Sequence, residues 1–457
     1  MMVRERELVI IGGGAAGLSA AVRAREQGIR DILVIERSAC LGGILRQCIH
    51  NGFGIHRYGE DLTGVEFAER AAGEVVRAGI DCMLETFAIG MTRDKVITVV
   101  NPAQGRVEIR AGAVILAMGC RERSRGALMI PGRRLAGVIT AGTAQRYLNL
   151  DGYLPGKRVV ILGSGDIGLI MARQFVLEGA KVEHVVEIMP CSSGLARNIA
   201  QCIEDFSIPI SYNSTVAAIH GRGRVEYVTV AKVDENRLPI PGSEFTIPCD
   251  TLLISAGLIP ENELTKAAGI VLSAATKGAV VDDTLMTSQE GVFSCGNVLH
   301  VHDLVDFVSL EGARAGENAA HYLKKAGLKR GEKGSTESAE KDWIAVEEGF
   351  GVNAAVPQKL CRTGNAVVEM MFRPRGRYFN CTVCVDADGV CVKRIKKRVL
   401  TQGEMCSFAL ERRLFAQAEK VVIRLEVEQD EHRKADDLYK LPGGMPDEGG
   451  SFRRAGV

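Results

Sequence analysis

The sequence predicts an α/β fold with two similar βαβ units, followed by an all-β segment near the end of the chain. Three observations predict it. Leu8–Ile11 and Val159–Leu162 are apolar runs that lead directly into glycine-rich turns and then into helical patterns. Uninterrupted apolar runs are typical of buried parallel strands. Beyond residue 344 the apolar residues alternate, with turn signals such as Asp388-Gly389, as antiparallel strands do.

The first glycine-rich turn has the GxGxxG spacing at Gly12, Gly14 and Gly17, and Glu36 follows Gly12 by 24 residues. In dinucleotide-binding units the first glycine permits a tight turn and the second lets the backbone approach a pyrophosphate. The third lets the helix pack on the strand, and the acid accepts hydrogen bonds from a ribose diol. The helix N-terminus adds partial positive charge beside the phosphates.

The second turn repeats this spacing at Gly163, Gly165 and Gly168, and Glu187 again follows its first glycine by 24 residues. One such motif is a weak signal, because a glycine-rich turn has many other uses. Two copies with the same acid spacing favour two dinucleotide sites. They predict a flavin that exchanges hydride with a nicotinamide, and an acid that repels a 2′-phosphate favours NAD over NADP.

The composition agrees with an enzyme of this kind. A length of 457 residues predicts about three domains. A net charge of +1 argues against a nucleic-acid or membrane-surface protein. The sequence contains no apolar run long enough for a membrane span, and its first strand begins too early for a signal peptide, so we expect a cytoplasmic protein. Thirteen cysteines without a disulfide spacing fit a reducing compartment.

The remaining elements follow from local patterns. Between the two turns we expect a strand, a helix, a small antiparallel meander, a buried strand and a second helix at 31–36, 61–78, 81–110, 113–119 and 140–149. The second unit runs from about 157 to 275 and closes with 250–257, which resembles 113–119. A helix from about 310 to 326, a polar linker at 331–343, strands at 366–372, 377–386, 390–398 and 420–427, and a polar tail from 433 complete the chain.

Residues 7–330 resemble the two-dinucleotide-binding-domain flavoproteins of the pyridine-nucleotide-disulfide oxidoreductase superfamily. Besides the two turns, the matching motifs are Leu41-Gly42-Gly43, Ala117-Met118-Gly119, Ser255-Ala256-Gly257 and Gly291–Asn297. The resemblance implies FAD and NAD(H) as cofactors and a second Rossmann-like domain inserted into the first. The implied domains are FAD-binding at 1–155 and 276–330, NAD-binding at 156–275 and a C-terminal antiparallel β domain at 344–432.

Two further segments, Cys48–Gly54 and Gly296–Asp303, point to a subgroup. They are similar to the NAD/FAD-dependent oxidoreductases encoded beside glycerol-3-phosphate dehydrogenases, and to subunits of opine oxidase and hydrogen cyanide synthase. This resemblance implies a partner flavoprotein or iron–sulfur protein, and it leaves an oligomer open. The expected cofactor contacts are Gly12, Gly14, Ala16, Gly17, Glu36, Arg37, Gly42, Gly43, Ala117, Gly119, Gly163, Gly165, Asp166, Gly168, Glu187, Gly257, Gly296, Asn297, Glu311, Gly312 and Ala313.

Two departures from the superfamily pattern matter. Leu45 and His50 stand where the disulfide reductases carry their redox cysteines, which argues against a dithiol–disulfide shuttle. Asn297 replaces an aspartate that faces the FAD ribityl and pyrophosphate. An amide still hydrogen-bonds a hydroxyl, so FAD binding remains expected. The segment at Glu311-Gly312-Ala313 is expected to open a helix whose N-terminus faces the flavin N1/O2 side.

His50 and His302 are the candidate catalytic residues. If His50 occupies the position of the second redox cysteine of the superfamily, its imidazole lies near the flavin. It can then exchange a proton, since its unperturbed pKa is close to neutrality. The alternative is a structural histidine that bonds a loop carbonyl or a flavin oxygen. His300, His302 and Asp303 have metal-like spacing, but without a clear third ligand they are weak evidence, and we predict no metal site.

Two C-terminal features have competing interpretations. Cys381 and Cys384, with Cys391 and Cys406, could bind iron–sulfur or zinc, but the pair falls on opposite faces of a continuous strand pattern, which favours packing in a β core. The basic run Lys393–Arg398 is a solvated strand or a surface for an acidic electron-transfer partner.

These observations predict an FAD-dependent, NAD(H)-linked oxidoreductase. The favoured hypothesis is an electron-transfer subunit of a multi-component dehydrogenase. A stand-alone flavin dehydrogenase or oxidase of a small amine or hydroxy acid, with His50 as base, is the second. A non-catalytic flavoprotein that serves as a binding partner is the third.

Overall fold

A computed structural model describes residues 3–331 and 343–427 of the chain. It confirms the mixed α/β class. The predicted linker and polar tail fall almost entirely on residues 332–342 and 428–457, which lie outside the described residues. Among the described residues no helix is both long and apolar enough to cross a membrane.

The α-helices, numbered in chain order, are α1 Ala15–Glu26, α2 Gly64–Arg77, α3 Ala141–Asn149, α4 Asp166–Leu177, α5 Ala196–Ile199, α6 Glu263–Ala267 and α7 Val305–Gly331. The strands of the first sheets are β1 Val3–Ile11, β2 Ile32–Ile35, β3 Asn51–Phe53, β4 Leu62–Thr63, β5 Asp81–Met83, β6 Phe87–Met91, β7 Val96–Asn101, β8 Gly105–Leu116, β9 Cys120–Glu122, β10 Val138–Thr140, β11 Arg158–Leu162, β12 Lys181–Val186, β13 Ile210–Ser211, β14 Ser214–Gly221, β15 Val225–Lys232, β16 Phe245–Pro248, β17 Thr251–Ile254, β18 Leu258–Pro260 and β19 Val292–Ser294. The later strands are β20 Trp343–Glu348, β21 Val352–Val356, β22 Lys359–Cys361, β23 Val367–Pro374, β24 Tyr378–Ala387, β25 Val390–Leu400, β26 Cys406–Glu411 and β27 Lys420–Glu426.

The first sheet has seven strands and contains the first βαβ unit. Its path is β5-β2-β1-β8-β7-β6, and β19 joins it by pairing with β8. The pairs β1–β2, β1–β8, β2–β5 and β8–β19 are parallel, whereas β6–β7 and β7–β8 form the predicted antiparallel meander. Leu8, Val9 and Ile10 are fully buried because helices and further strands cover both faces of the parallel part.

The second βαβ unit builds a separate parallel sheet of five strands in the order β10-β17-β11-β12-β13. Its central strands β11 and β17 pair in register from Val159 with Thr251 to Leu162 with Ile254. A three-stranded antiparallel sheet, β14-β15-β16, packs on one face through Val216, Val228 and neighbouring apolar residues. Each strand that leads to a glycine-rich turn, β1 or β11, therefore lies between two parallel neighbours.

The C-terminal segment forms two sheets, β22-β20-β27-β24-β25 and β21-β23-β26, that share one apolar core. All pairs in these sheets are antiparallel except β20 with β27, which is parallel. The expectation of a wholly antiparallel domain was therefore wrong for this pair. Cys381 and Cys384 lie on the continuous strand β24 and are both buried, as the packing interpretation predicts.

Helix α7 crosses α1 at very short range. An ideal Cβ on Gly312 would lie 2.2 Å from the carbonyl oxygen of Ala16, and one on Gly316 would lie 2.1 Å from that of Ala20. Only glycine permits this approach of two helix backbones. The helix starts at Val305, five residues before the predicted start, so the expectation that Glu311-Gly312-Ala313 opens it was wrong. Those residues belong to its second and third turns.

Candidate active site

In the first glycine-rich turn, one glycine is required by close packing and another borders an open space. Gly12 has a φ of +113°, and a Cβ there would lie 2.2 Å from the carbonyl oxygen of Ala117. A Cβ on Gly14 would meet nothing within 4 Å. Gly14 also precedes α1 without a side-chain cap, so the first helical amides face the open space with no protein side chain to satisfy them. A pyrophosphate fits such an end.

The second turn repeats this geometry. Gly163 has a φ of +103°, and its Cβ would lie 2.1 Å from the carbonyl oxygen of Ser255. Gly165 precedes α4 without a side-chain cap, and its Cβ would come no closer than 3.6 Å to Ser193. The two turns are therefore built alike, each with one glycine required by packing and one beside free space.

The two acids hold equivalent positions. The amide N–H of Gly13 donates to Oε2 of Glu36 at 2.8 Å, and that of Ser164 donates to Oε2 of Glu187 at 2.8 Å. Each carboxylate also accepts an amide N–H two residues further along the chain, at 2.8 Å in both cases. Both side chains are buried, yet both line the cavity, as a ribose-binding acid must.

One cavity of about 2,630 Å³ connects the two turns. Ligand pockets are usually about 300–1,000 Å³, so this cavity has room for more than one ligand. Seventeen of the expected site residues line it: Gly12, Gly14, Ala16, Glu36, Arg37, Gly42, Gly43, His50, Ala117, Gly119, Gly163, Gly165, Asp166, Glu187, Gly257, Asn297 and His302. With the open glycines and uncapped helices, this arrangement fits two dinucleotides.

Six expected cofactor contacts are not among the lining residues: Gly17, Gly168, Gly296, Glu311, Gly312 and Ala313. Gly17 packs on the carbonyl of Gly12, and Gly168 packs on that of Gly163, which is the helix-packing role of the third glycine. Gly296 is buried and donates its amide N–H to Glu311 at 2.6 Å. Gly312 packs against α1, and Ala313 is half-buried on α7.

His50 lies where the short 3-10 turn Gly43–Gln47 gives way to β3. Its ring packs on Phe53 with 4.9 Å between ring centroids, and its Nδ1 lies 3.0 Å from the carbonyl oxygen of Asn51. Burial lowers the pKa of His50 below its ordinary value, with the Arg197 guanidinium acting in the same direction. The imidazole is therefore neutral at neutral pH and is able to accept a proton from a ligand in the cavity.

Asp306, which no sequence motif indicated, fixes the loop that follows His50. Its buried carboxylate accepts the amide N–H groups of Gly54, His56 and Arg57 at 3.1, 3.0 and 2.8 Å. The residue stands in the first turn of α7, so its carboxylate ties this loop to the helix. No local signal reveals such a contact, because the partners are about 250 residues apart.

The Asn297 side chain forms hydrogen bonds to other groups of the protein. Its Oδ1 accepts the amide N–H of His302 at 3.0 Å, and its Nδ2 donates to the Cys120 sulfur at 3.7 Å. The side chain thus holds the segment that carries the two histidines, and a ribityl contact stays a prediction. His300 is fully buried behind the cavity wall, whereas His302 lines the wall.

Cys48 and Cys120 line the cavity, and their thiols are protonated at neutral pH. Leu45, at the first expected redox position, is buried. Burial raises the pKa of the Cys48 thiol to about 12 and that of Cys120 to about 11. Cys40 is the third cysteine of the wall, and all three wall cysteines are free thiols. No thiolate nucleophile is available among Cys48 and Cys120 at neutral pH.

The C-terminal sheets add Arg373, Gln402 and Gly403 to the cavity wall, which the sequence did not predict. Arg373 donates to Asp303 at 2.5 Å, and Asp303 also accepts the amide N–H of Met405 at 2.6 Å. The loop around Gly403 touches the second unit, since a Cβ there would lie 2.3 Å from the carbonyl oxygen of Ser193. The C-terminal segment thus closes one side of the cavity.

Residues 6–321 match the family model described as pyridine nucleotide-disulphide oxidoreductase. The HcnB component of hydrogen cyanide synthase from Pseudomonas aeruginosa is 26% identical over 67% of this chain and 67% of its own length. An opine oxidase subunit from Agrobacterium tumefaciens is 26% identical over 70% of this chain, and the match spans 65% of that relative. Among solved structures, T. acidophilum thioredoxin reductase gives a TM-score of 0.57 at 26% identity, covering 71% of this chain and 99% of the other.

Proposed function

The chain belongs to the pyridine nucleotide-disulphide oxidoreductase family, and we propose that it is the FAD-dependent, NAD(H)-linked electron-transfer subunit of a multi-component dehydrogenase. It is an oxidoreductase, and FAD and a pyridine nucleotide are its cofactors. The observation that carries the proposal is one cavity that joins two matched dinucleotide turns. The superfamily resemblance adds that Leu45 and His50 occupy the positions of a redox dithiol. Such a site favours electron exchange through the cofactors and not through a disulfide.

We also propose the domain assignment of this machinery. Residues 1–155 and 276–330 form an FAD-binding domain, with a NAD-binding domain at 156–275 inserted in it and a C-terminal β domain at 344–432. Support comes from β19, which pairs with β8 although the whole second parallel sheet lies between them in sequence. FAD, when bound, supplies the two-electron chemistry and exchanges electrons with the nicotinamide.

The chain's own residues bind and orient the cofactors. The amides that open α1 and α4 bind pyrophosphates, and Glu36 and Glu187 accept hydrogen bonds from ribose hydroxyls. Glu187 also disfavours a 2′-phosphate through like-charge repulsion. His50 holds or moves a proton at its imidazole, and the C-terminal loop with Gln402 and Gly403 excludes water from one side.

A partner protein is supported by the relatives, because the matched proteins from hydrogen cyanide synthase and opine oxidase are themselves named as subunits. We propose a partner flavoprotein or iron–sulfur protein for this chain. The second candidate is a stand-alone dehydrogenase or oxidase of a small amine or hydroxy acid. One observation favours it: two histidines, His50 and His302, reach the same cavity, as acid–base chemistry on a substrate requires.

Purification of the tagged chain from its native host separates the two candidates. The proposal expects a second redox-active chain at a fixed ratio, and substrate-dependent NAD⁺ reduction only when both chains are present. If the chain alone oxidises a small amine or hydroxy acid at the full rate of the native preparation, the second candidate is correct and the electron-transfer assignment fails.

A further inference from the structure

A buried polar cluster at the start of α7 has no role in the proposed electron path. It consists of His300, His302 and Glu311, and Glu311 is fully buried. Nε2 of His300 lies 2.8 Å from Oε1 of Glu311, and Nε2 of His302 lies 3.1 Å from Oε2. A buried carboxylate is costly unless each oxygen has donors, so the two rings are required partners of this anion.

The distances favour hydrogen bonds over a shared metal ion. Ligand atoms that each lie about 2.0–2.2 Å from one tetrahedral zinc are separated by well over 3 Å. The His300–Glu311 separation is shorter than that, and Oε2 of Glu311 also accepts the amide N–H of Gly296 at 2.6 Å. Both imidazoles therefore present Nε2–H to the carboxylate.

This contact fixes the ring of His302. When Nε2 carries the hydrogen that Glu311 accepts, Nδ1 is the nitrogen with a free lone pair. His302 lines the cavity, one turn before α7 begins, whereas His300 lies behind it with its own Nδ1 buried and unpartnered. Both side chains are only 2% exposed, but His302 is the one that belongs to the cavity wall.

We propose that His302 is a second proton-carrying residue of the cofactor cavity, besides His50, and that Glu311, assisted by His300, is the positioning residue that orients its ring and balances its charge. The assignment rests on the proposed function, because it needs FAD and NADH in this cavity. It goes beyond that function by naming the residue that holds one proton when the flavin is reduced.

The charges around the cluster keep Glu311 ionised. Burial alone would raise the pKa of Glu311, but the imidazoles of His300 and His302 hold it well below its usual range. Burial lowers the pKa of His300, so that ring stays neutral. Arg373 and Asp303, two charged groups near the cluster, pair with each other at 2.5 Å.

The proton is needed for a balanced reaction. NADH delivers two electrons and one proton, whereas fully reduced neutral FADH₂ holds two electrons and two protons. The balance is NADH + H⁺ + FAD + His302 → NAD⁺ + FADH⁻ + His302-H⁺. The H⁺ comes from solvent, and His302 would take it up at Nδ1 and hold it beside the reduced flavin. On reoxidation by the partner this proton would leave His302 for solvent.

The midpoint potential of the bound flavin against pH tests this without turnover. Each proton taken up with two electrons contributes about 30 mV per pH unit. For the holoprotein, reduced with dithionite, we expect about two protons per flavin around neutral pH. His302→Gln and Glu311→Gln should both lower this to about one proton per flavin. Glu317→Gln, a carboxylate on the same helix that pairs with Arg23, is the matched control and should keep two.

Histidine ¹⁵N spectra of the unsubstituted protein give a second readout that survives if Glu311→Gln misfolds. We expect His302 as the Nε2–H form in the oxidised protein and doubly protonated after reduction. An unchanged proton count in His302→Gln, or an unprotonated His302 after reduction, overturns the proposal. So does one tightly bound metal per chain that is lost in His300→Ala. Failure of NADH to reduce the flavin would instead overturn the proposed function, since dithionite bypasses that step.

Discussion

The amide N–H of Ser164 donates to Oε2 of Glu187 at 2.8 Å, so the acid of the second turn is tied to the loop that must hold the dinucleotide. The Ser164 hydroxyl donates to the same oxygen at 2.6 Å. These bonds fix the Glu187 carboxylate at the position that we assign to the ribose end of the second site, where a 2′-phosphate would have to lie.

NADH should therefore reduce the flavin faster than NADPH. Glu187→Ser removes the charge. It should reduce the ratio of the NADH rate to the NADPH rate by about tenfold or more, which corresponds to about 1.4 kcal/mol. Stopped-flow measurement of flavin reduction gives both rates. The control is Glu178→Ser, an exposed acid of the same unit, which should leave the preference unchanged. Equal rates with both nucleotides in the unsubstituted protein would show that Glu187 is not at the ribose.

The open glycines should separate the two cofactor sites. A Cβ at Gly14 or Gly165 meets no protein atom closer than 3.6 Å, so both alanine variants should fold. Gly165→Ala should keep FAD but weaken NADH binding by about tenfold or more, and Gly14→Ala should weaken FAD binding. Flavin content and NADH titration measure this. Loss of FAD in Gly165→Ala with NADH binding intact would show that the two sites are assigned in reverse.

His50 should act as a neutral base. Because burial lowers its pKa, the imidazole stays unprotonated to a lower pH than an exposed histidine would. If it carries a proton, His50→Ala should slow the half-reaction with the non-nicotinamide partner by about 10²–10⁴-fold, with FAD retained. In the unsubstituted protein, the rate of this half-reaction should decrease only at a pH below the range in which histidines ordinarily titrate. His220→Ala, which removes a ring paired with Thr229 outside the cavity, is the control.

The His50→Gln variant distinguishes a proton-transfer role of His50 from a structural role. Glutamine can hydrogen-bond but cannot shuttle protons, so a near-normal rate in this variant would assign His50 a structural role. A slow rate with normal FAD content supports proton transfer.

Asp303 should hold the C-terminal sheets against the cavity. Its carboxylate is about four-fifths buried and joins Arg373 to the amide of Met405. Asp303→Ala therefore leaves the Arg373 charge without its ion-pair partner and the Met405 N–H without its acceptor. We expect a loss of about 1–3 kcal/mol in the free energy of unfolding, measured by denaturant titration. Glu347→Gln, which breaks an exposed pair with Lys420, should cost less than about 0.5 kcal/mol. Equal losses of unfolding free energy in the two variants would mean that Asp303 does not hold the C-terminal sheets against the cavity.

The sequence was a good guide where function depends on local backbone geometry. Gly12 and Glu36 were identified from spacing alone, because a tight turn and a ribose acid recur at fixed distances along one βαβ unit. The contacts that complete the site escaped prediction because they join distant segments. Asp306 binds a loop about 250 residues earlier, and Arg373 reaches the cavity from another sheet. The first turn of α7 was missed because Val305 and Val308 have weak helix propensity, and tertiary packing against α1 determines the outcome.

The most direct test of the central claim is an anaerobic reductive titration of the purified chain, with iron content measured in parallel. We predict that two electrons per FAD complete the reduction, with no long-wavelength charge-transfer band between a thiolate and the flavin. The reason is that the superfamily resemblance places Leu45 and His50 at the redox-cysteine positions, and that burial raises the pKa of Cys48 to about 12. Uptake of four electrons per FAD by an iron-free protein would contradict this prediction and would reveal a working disulfide.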